Sequence, residues 1–481
     1  LSYQSLQSFI KTLEEKEELI RIQTEVDPEL EITEINDRVV KNEGPALLFE
    51  NVKGSNFPVL VNAFGSKKRM AMSLEVDHMD KIADRINSYL DTTVPENFFD
   101  KLKVLPLLKE VSDFFPVKVK NAPCQEVVED KVDLEEIPVL KCWPQDGGRF
   151  FTLPLVFTKD PETGQQNVGM YRLQIFDKTT TGMHWHIHKD GANNYSKYQE
   201  RNEKMEVAVA LGCDPATIYS STAPLPSKID EMIFAGFLRK EPVEMVKCKS
   251  VDLKVPANAE FILEGYVEPG EMRVEGPFGD HTGYYSLADK YPVFHIEKIT
   301  RKKNPVYNAT VVGKPPMEDC YMAKATERIF LPLLQLQLPE ITDMNLPLEG
   351  VFHNCAIFSI KKKYPGHAKK IMHAIWGMGQ MMYTKMIIIV DDEIDVQDLS
   401  TVAWKVFNNI DASRDVEIVD GPLDALDHSS PLPRYGAKMG IDATKAWAEE
   451  GYQREWPPEI TMSKQIKDMV DKKWDDYGID L

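Results

Sequence analysis

The stretch Glu275-Gly-Pro-Phe-Gly-Asp-His-Thr-Gly-Tyr-Tyr285 decides how the middle of this chain is read. Glycine at 276, 279 and 283 and proline at 277 rule out a helix or an unbroken strand. Glycine admits backbone conformations closed to other residues, and proline lacks the N–H that a ladder needs. The segment is therefore a shaped loop. Glu275 and Asp280 lie on it five positions apart, so it can aim two carboxyl groups at one point. Paired carboxyls whose pKa values are pushed apart can run acid and base chemistry near neutral pH. A capped polar turn between strands has the same composition, and the loop alone leaves both readings open.

Around that loop, from about residue 120 to 325, short β-type runs at 153–158, 171–176, 207–211, 244–248, 260–267, 293–299 and 306–312 are separated by turn residues. Many short strands with few helical runs predict a β-barrel or sandwich-like domain, and the mouth of such a barrel is a usual ligand site.

Before it, Leu6, Phe9, Ile10 and Leu13 recur at helical spacing and 19–22 reads as a strand. A second helix opens at Asp27-Pro28 with Ile32, Ile35 and Val39 on one face and stops at Gly44-Pro45. Strands at 46–49 and 59–61 follow, then a third helix from about Ser73 with Met79, Ile82, Ile86 and Leu90 inward. The proline-bearing run from Leu105 to Pro144 reads as a long irregular connection.

After about Ala325 come a helix near 329–334 interrupted by Pro332, a strand at 355–360, a helix at 367–376 and a buried strand at 386–390. A helix carrying Leu399, Val402 and Val406 follows. The tail from Glu459 places Met462, Ile466, Met469, Val470 and Trp474 at helical spacing, which suits docking on a partner subunit or on its own core. These patterns predict three domains, an α/β unit at 1–118, a β-rich unit at 119–325 and an α/β unit at 326–481.

The 481 residues are 43% hydrophobic, enough for several cores, and 57 Lys and Arg against 76 Asp and Glu give a formal charge of -19. That charge argues against a nucleic-acid partner. Six scattered cysteines with no C-x-x-C pair argue against a disulfide framework or a zinc cluster and read as reduced core residues. No run reaches transmembrane length, so the expected location is cytoplasmic, with peripheral contact at the inner membrane face to collect a lipid-like substrate.

Two further stretches carry chemistry. Asn167-Val-Gly-Met-Tyr-Arg172 precedes His184-Trp-His-Ile-His188. In a strand the histidines 184, 186 and 188 would share a face, either as metal ligands or as a hydrogen-bonded polar face. One histidine combined with oxygen ligands suits manganese or magnesium better than zinc. Tyr219-Ser-Ser-Thr-Ala-Pro-Leu-Pro226 is followed by Glu231, an acid opening an apolar helix, where the helix dipole alone would favour it.

In their order and spacing these segments, with Lys385, resemble the UbiD family of decarboxylases. The resemblance runs from Asp27-Pro-Glu-Leu-Glu-Ile-Thr-Glu34 and Gly44-Pro-Ala-Leu-Leu-Phe-Glu50 to Lys438-Met-Gly-Ile-Asp-Ala-Thr444. It is similar to the branch acting on 4-hydroxy-3-polyprenylbenzoate, since Asp280 stands where cinnamate-type relatives carry Glu.

The resemblance implies a central split β-barrel flavin-binding domain flanked by N-terminal and C-terminal α/β domains, assembled into a homo-oligomer, a dimer or a hexamer. It also implies prenylated FMN as cofactor, held through a divalent ion, usually Mn2+, with K+ nearby. By the same resemblance Asn167, His188 and Glu231 are the metal ligands, and backbone at Ser220, Ser221 and Ala223 completes the K+ site. Met170, Tyr171, Arg172, His184, Trp185, His186, Lys189, Asp190 and Lys385 are the cofactor-binding residues. His184 and Lys189 stand where close relatives carry arginine.

Arg172, Glu275 and Asp280 are the catalytic set so implied. Removing CO2 from an aromatic carbon leaves a carbanion that no ordinary side chain can absorb, so the hard step belongs to the cofactor. Asp280 is then the expected proton donor, kept neutral by an apolar pocket, while Glu275 stays ionised against Arg172. The expected function is decarboxylation of a prenylated 4-hydroxybenzoate in ubiquinone biosynthesis, with a separate flavin prenyltransferase supplying the cofactor. Three alternatives stand beside it: the same chemistry on a dihydroxynaphthoate of a menaquinone route, a plain FMN oxidoreductase with no use for the metal set, and a non-catalytic assembly protein.

Overall fold

The structure, a computed structural model, describes residues 2–90, 111–185, 190–225 and 229–479. It is a mixed α/β chain with three main sheets.

The first helix, Leu6–Glu15, is held at its start by a reciprocal pair. The Ser5 hydroxyl accepts from the Ser8 N–H and the Ser8 hydroxyl accepts from the Ser5 N–H. It buries Leu6, Phe9, Ile10 and Leu13, as their spacing predicts. The second helix begins at Glu31, later than the Asp27 start expected. Asp27 Oδ1 accepts the Glu29 N–H within a turn instead, and Leu30 takes a left-handed φ of 69°. The buried face is accordingly Ile32, Thr33, Asn36 and Val40. The third expected helix begins at Asp80 rather than near Ser73 and runs to Leu90, and a short helix that was not expected, Lys67–Ser73, precedes it.

The N-terminal sheet runs Leu19–Ile22, Ala46–Phe49, Val59–Val61 and then Tyr307–Asn308. Its last strand comes from beyond the central sheet, so the two regions are tied by main-chain hydrogen bonds. The described part of the expected irregular connection also contributes strands. Val117–Val119 pairs with Glu244–Lys247 and Val127–Glu129 with Asp289–Arg301.

The central sheet is antiparallel, in the order Thr180–Gly182, Asp289–Arg301, Phe261–Glu275, Met205–Leu211, Leu155–Lys159, Gln166–Met170. Among the described residues its two ends do not pair with each other. The run expected as a strand at 171–176 is regular only over Leu173–Gln174. The register sets Glu275, the last residue of its strand, opposite Asp289, and Gly182 opposite Val293. This brings Gly182 under the Glu275 carboxylate. A Cβ at 182 would stand 3.1 Å from Glu275 Oε2, so the missing side chain makes room for the acid.

The long helix Glu318–Gln337 leads into the C-terminal region and runs through Pro332 without interruption. Leu334 and Leu338 anchor its far end in the C-terminal core, and this packing outweighs the lost hydrogen bond. The sheet there is ordered Ile341–Asn345, Cys355–Ile360, Met386–Asp391, Tyr435–Asp442, Val416–Pro422, with a parallel centre and antiparallel edges. Helix His367–Trp376 packs into one core through Ala368, Ile371, Met372 and Ile375, and Leu399–Asn409 into the other through Val402 and Val406. The near-continuous apolar run 386–390 is covered on both sides, as a parallel strand requires.

None of the described helices is long and apolar enough to cross a membrane. The six cysteines are free, five of them buried.

Candidate active site

The loop after Glu275 turns at Gly276 and Gly283, with φ of 94° and 81°, and pairs back on itself through Phe278–Gly279 and Tyr285–Ser286. Asp146 pins it from outside, accepting the Gly279 N–H at 2.7 Å and the Trp143 N–H at 2.9 Å. Both acids point inward. Glu275 is 1% exposed and Asp280 6%.

Arg172, just past the strand Gln166–Met170, reaches both. Its Nε donates to Glu275 Oε1 at 3.0 Å, its Nη1 to Asp280 Oδ2 at 2.5 Å and its Nη2 to Ser286 Oγ at 3.0 Å. The guanidinium lies 4.5 Å from the centre of the Phe278 ring, a cation–π contact that holds the fork flat. His184 Nδ1 stands 2.8 Å from Glu275 Oε1, and the His184 ring packs on Tyr291 with centroids 4.2 Å apart. The three residues expected to act together are thus brought together. The strand Thr180–Gly182 ends before His184, and the His184 side chain reaches Glu275. His186, His188 and Lys189 lie outside the described residues.

The electrostatics correct one expectation. Burial alone would raise the Glu275 carboxyl, but the His184 hydrogen bond and the Arg172 charge outweigh it and hold it below the usual carboxylate value. Burial likewise works against ionised Asp280, yet hydrogen bonds and charge from His281, with the charge of Arg172, hold its carboxyl far below the usual range. Asp280 is therefore ionised at neutral pH in this arrangement, not kept neutral by an apolar pocket. Burial pushes His184 down, so it acts on Glu275 as a neutral N–H donor. His281 is the partner that the loop's sequence did not announce. Its backbone N–H and its Nδ1 both lie 2.8 Å from Asp280 Oδ1.

A cavity of about 1010 Å³ opens beside this cluster, walled by Arg172, His184, Trp185 and Tyr291 and lined on another side by the loop residues Asp427 and His428. Lys385 supports that loop, donating from Nζ to Asp427 Oδ2 at 2.6 Å and to the Ser429 hydroxyl. Tyr171 is buried in the core, with its ring folded over Gly169. The Met170 N–H donates to the Ser221 carbonyl at 3.2 Å. Asp190 opens the helix Asp190–Arg201.

Asn167 Nδ2 donates to Glu231 Oε1 at 2.9 Å, and Asp230 caps the helix that begins at Glu231. Asn167 Oδ1 is buried and has no hydrogen-bond partner among the described residues. A buried amide oxygen so placed, beside a carboxylate, fits a hard divalent cation. Among the described residues no group of three or more His, Cys, Asp or Glu forms a metal site. An amide ligand falls outside that set, and His188 lies outside the described residues.

Three domain families match the chain: the N-terminal domain of 3-octaprenyl-4-hydroxybenzoate carboxy-lyase over residues 10–86, its Rift-related domain over 116–315 and its C-terminal domain over 320–443. The chain belongs to the UbiD family. Its relatives include uncharacterized proteins of Archaeoglobus fulgidus, 55% identical over 478 residues, and of Aquifex aeolicus, 50% identical over 482 residues, each match covering 99% of both chains.

Among solved UbiD-class structures, vanillic acid decarboxylase of Sedimentibacter hydroxybenzoicus in its closed form superposes with a TM-score of 0.86 at 28% identity over 100% of both chains. HmfF of Pelotomaculum thermopropionicum in complex with FMN gives 0.80 at 29% identity over 98% of this chain and 100% of that one. An evolved dimeric form of HmfF in complex with prFMN gives 0.76 at 28% identity, over 95% and 97%. The match to UbiD spans all three sheets, so the cluster of Arg172, Glu275 and Asp280 sits in a complete UbiD frame.

Proposed function

We propose that this protein is a prenylated-FMN-dependent, non-oxidative decarboxylase of a 4-hydroxybenzoate carrying a prenyl chain, acting in quinone biosynthesis. The observation that carries the reading is Arg172 bridging two buried carboxylates on the wall of one cavity. A scaffold has no use for that arrangement, whose burial is costly unless the charges are paired. Vanillic acid decarboxylase and the prFMN complex of HmfF, both on this fold, support the reaction class and the cofactor. The central antiparallel sheet, with Arg172 and Trp185 facing the cavity, supports a split-barrel flavin domain.

Asn167, Glu231 and His188 would hold Mn2+, and the Ser220–Ala223 backbone K+, and the two cations would supply positive charge for the cofactor's phosphate. When bound, the prenylated flavin supplies the electron sink that the departing CO2 requires. The chain's own residues do the rest. Arg172 fixes Glu275 and Asp280 and offers positive charge beside an incoming carboxylate. Neutral His184 keeps Glu275 in place. Asp280, closest to the guanidinium, carries the proton to the ring carbon, and the walls limit water.

Large apolar side chains at the cavity's lining, Met272, Leu287, Tyr284 and Leu432, are exposed, which supports a hydrocarbon chain leaving the mouth. The tail helix Lys464–Asp471 buries nothing, while Ile460, Met462, Ile466 and Met469 stand exposed. An apolar groove lined by Leu399, Val402, Val406 and Ile418 lies on the C-terminal region. Both support a homo-oligomer in which the tail packs on a second copy.

The test is to express the protein with and without a flavin prenyltransferase, purify it without oxygen, and measure the mass of the released cofactor and the CO2 formed from a 3-prenyl-4-hydroxybenzoate with Mn2+. Prenylated FMN with metal-dependent CO2 release only in the co-expressed sample is expected. Ordinary FMN or no flavin from both preparations, without CO2, would sink the proposal.

A further inference from the structure

Decarboxylation leaves the electron pair of the broken C–C bond on the ring carbon, and one proton then forms the new C–H bond. Each CO2 released therefore consumes one proton. The proton must reach Asp280, a side chain that is 6% exposed and held ionised. Of its two side-chain partners, Arg172 does not release a proton at accessible pH. His281 does.

The surroundings of His281 set up a proton store. Nδ1 lies 2.8 Å from Asp280 Oδ1, and Nε2 lies 2.8 Å from Nε2 of His353. At that distance one proton sits between the two rings, since two N–H groups would collide and two lone pairs would repel. The Phe352 ring stacks on His281 with centroids 4.7 Å apart. Charges facing it come from Asp280 on its own loop, Asp319 at the start of the long helix and Asp424 on the C-terminal loop, with Arg172 behind Asp280. Burial works against the charged ring, but those carboxylates raise it. His353 is pushed down to about 4 by its burial, so it is the neutral member and the acceptor. His353 belongs to the C-terminal region, between the turn Leu348–Gly350 and the strand Cys355–Ile360.

We infer that His281, oriented by His353 across the boundary between the central and C-terminal regions, is the proton reservoir that recharges Asp280 at each turnover. The inference rests on the decarboxylase reading for its chemistry. In the balanced step the His281 Nδ1 proton passes to Asp280 Oδ1. The Asp280 O–H then protonates the ring carbon, and the histidine pair regains one proton from water before the next cycle. His281 and His353 are positioning residues that act through Asp280. Because the acceptor comes from the other region, the reservoir is charged only when the two regions are together.

Two measurements test this, and the first needs neither substrate nor flavin. The full chain, labelled with 15N-histidine, is titrated by NMR, with His281→Gln and His353→Gln assigning the two rings among the 10 histidines. At pH 7 His281 is expected to carry protons on both nitrogens and His353 on one. A neutral His281 overturns the inference, whatever substrate the enzyme takes.

The second measurement is the pH profile of kcat and KM on the holoenzyme. In the wild type kcat falls as pH rises through the titration of His281. His281→Gln is expected to lose that limb and about 10²-fold in kcat, with KM within about twofold and the flavin spectrum kept. His353→Ala is expected to move the limb to lower pH, because the imidazolium loses its acceptor. Limbs that stay in place in both variants would mean that water in the cavity protonates Asp280 directly, and the reservoir would be discarded.

Discussion

The ion pair from Arg172 Nη1 to Asp280 Oδ2 is 2.5 Å long and buried on both sides. Glu275 shares the same guanidinium, so one cation bridges two carboxylates, and Asp280 has His281 as its second partner.

Arg172→Gln therefore leaves Glu275 buried without its cation and Asp280 with His281 alone. It should abolish turnover and destabilise the fold by about 3–5 kcal/mol at pH 8. The sign with pH follows from the carboxyls. In the wild type Asp280 and Glu275 have lowered values, so their stabilisation is present above the unfolded carboxyl value and lost as pH falls through the folded one. In the variant these values rise, and the penalty is relieved as pH falls. Denaturant unfolding at pH 8 and pH 5 checks this, with the smaller deficit expected at pH 5.

Asp280→Asn keeps the shape and one acceptor oxygen, turns the other into an NH2 donor, and cannot carry a proton. Turnover should fall by about 10²–10⁴-fold, while the flavin content and visible spectrum stay as in the wild type. Near-normal CO2 release from this variant would remove Asp280 from the role of proton donor.

Asn167→Ala removes the buried amide oxygen that lacks a partner. The expected result is loss of bound Mn2+ and of flavin retained through desalting, with the melting temperature of the apoprotein close to the wild type. Elemental analysis and absorbance read both. Undiminished metal content would move the divalent site elsewhere.

Gly279→Ala tests the loop itself. A Cβ there would come within 2.2 Å of Trp143 Cδ1, and the Trp143 Nε1–H is tied to the Val312 carbonyl at 2.8 Å. The ring cannot retreat without breaking that bond, so about 1–3 kcal/mol of stability should be lost. Because Gly279 is held by Asp146 next to Asp280, kcat should fall with it, as thermal unfolding and turnover on the same preparation will show.

Ending the chain at Glu459 removes the apolar tail and keeps the pair from Lys405 to Glu459. Light scattering should report a smaller oligomer, with the flavin spectrum unchanged. An unaltered mass would place the subunit interface away from the tail.

Much of the chain was legible in its residues. The helix His367–Trp376 and the strands Cys355–Ile360 and Met386–Asp391 lie within a residue of their predicted bounds, because a fully apolar strand and an amphipathic turn followed by glycine have few competing readings. The helix through Pro332 and the late start at Glu31 were misread for a common reason. Local signals, a proline in one case and an Asp-Pro pair in the other, were outweighed by tertiary packing and by a turn that used Asp27 differently. The strands 117–119 and 127–129 escaped notice because each is three residues long and exists only through its partner.

By itself, the sequence determined that the chain alternates α/β, β-rich and α/β regions, and its resemblance to UbiD singled out Arg172, Glu275 and Asp280, which the fold brings into contact. Periodicity and turn residues are local signals, so the alternation of regions is written locally, and the motifs that carry the resemblance are short stretches of contiguous residues. The ionisation of those residues was decided only by the tertiary structure. Asp280 is charged because Arg172, 108 residues away, and His281 converge on it in a site shielded from water, and His281 is oriented by His353, 72 residues away. A proton's position depends on the field at one point in space, and that field is summed over groups that are neighbours only after folding.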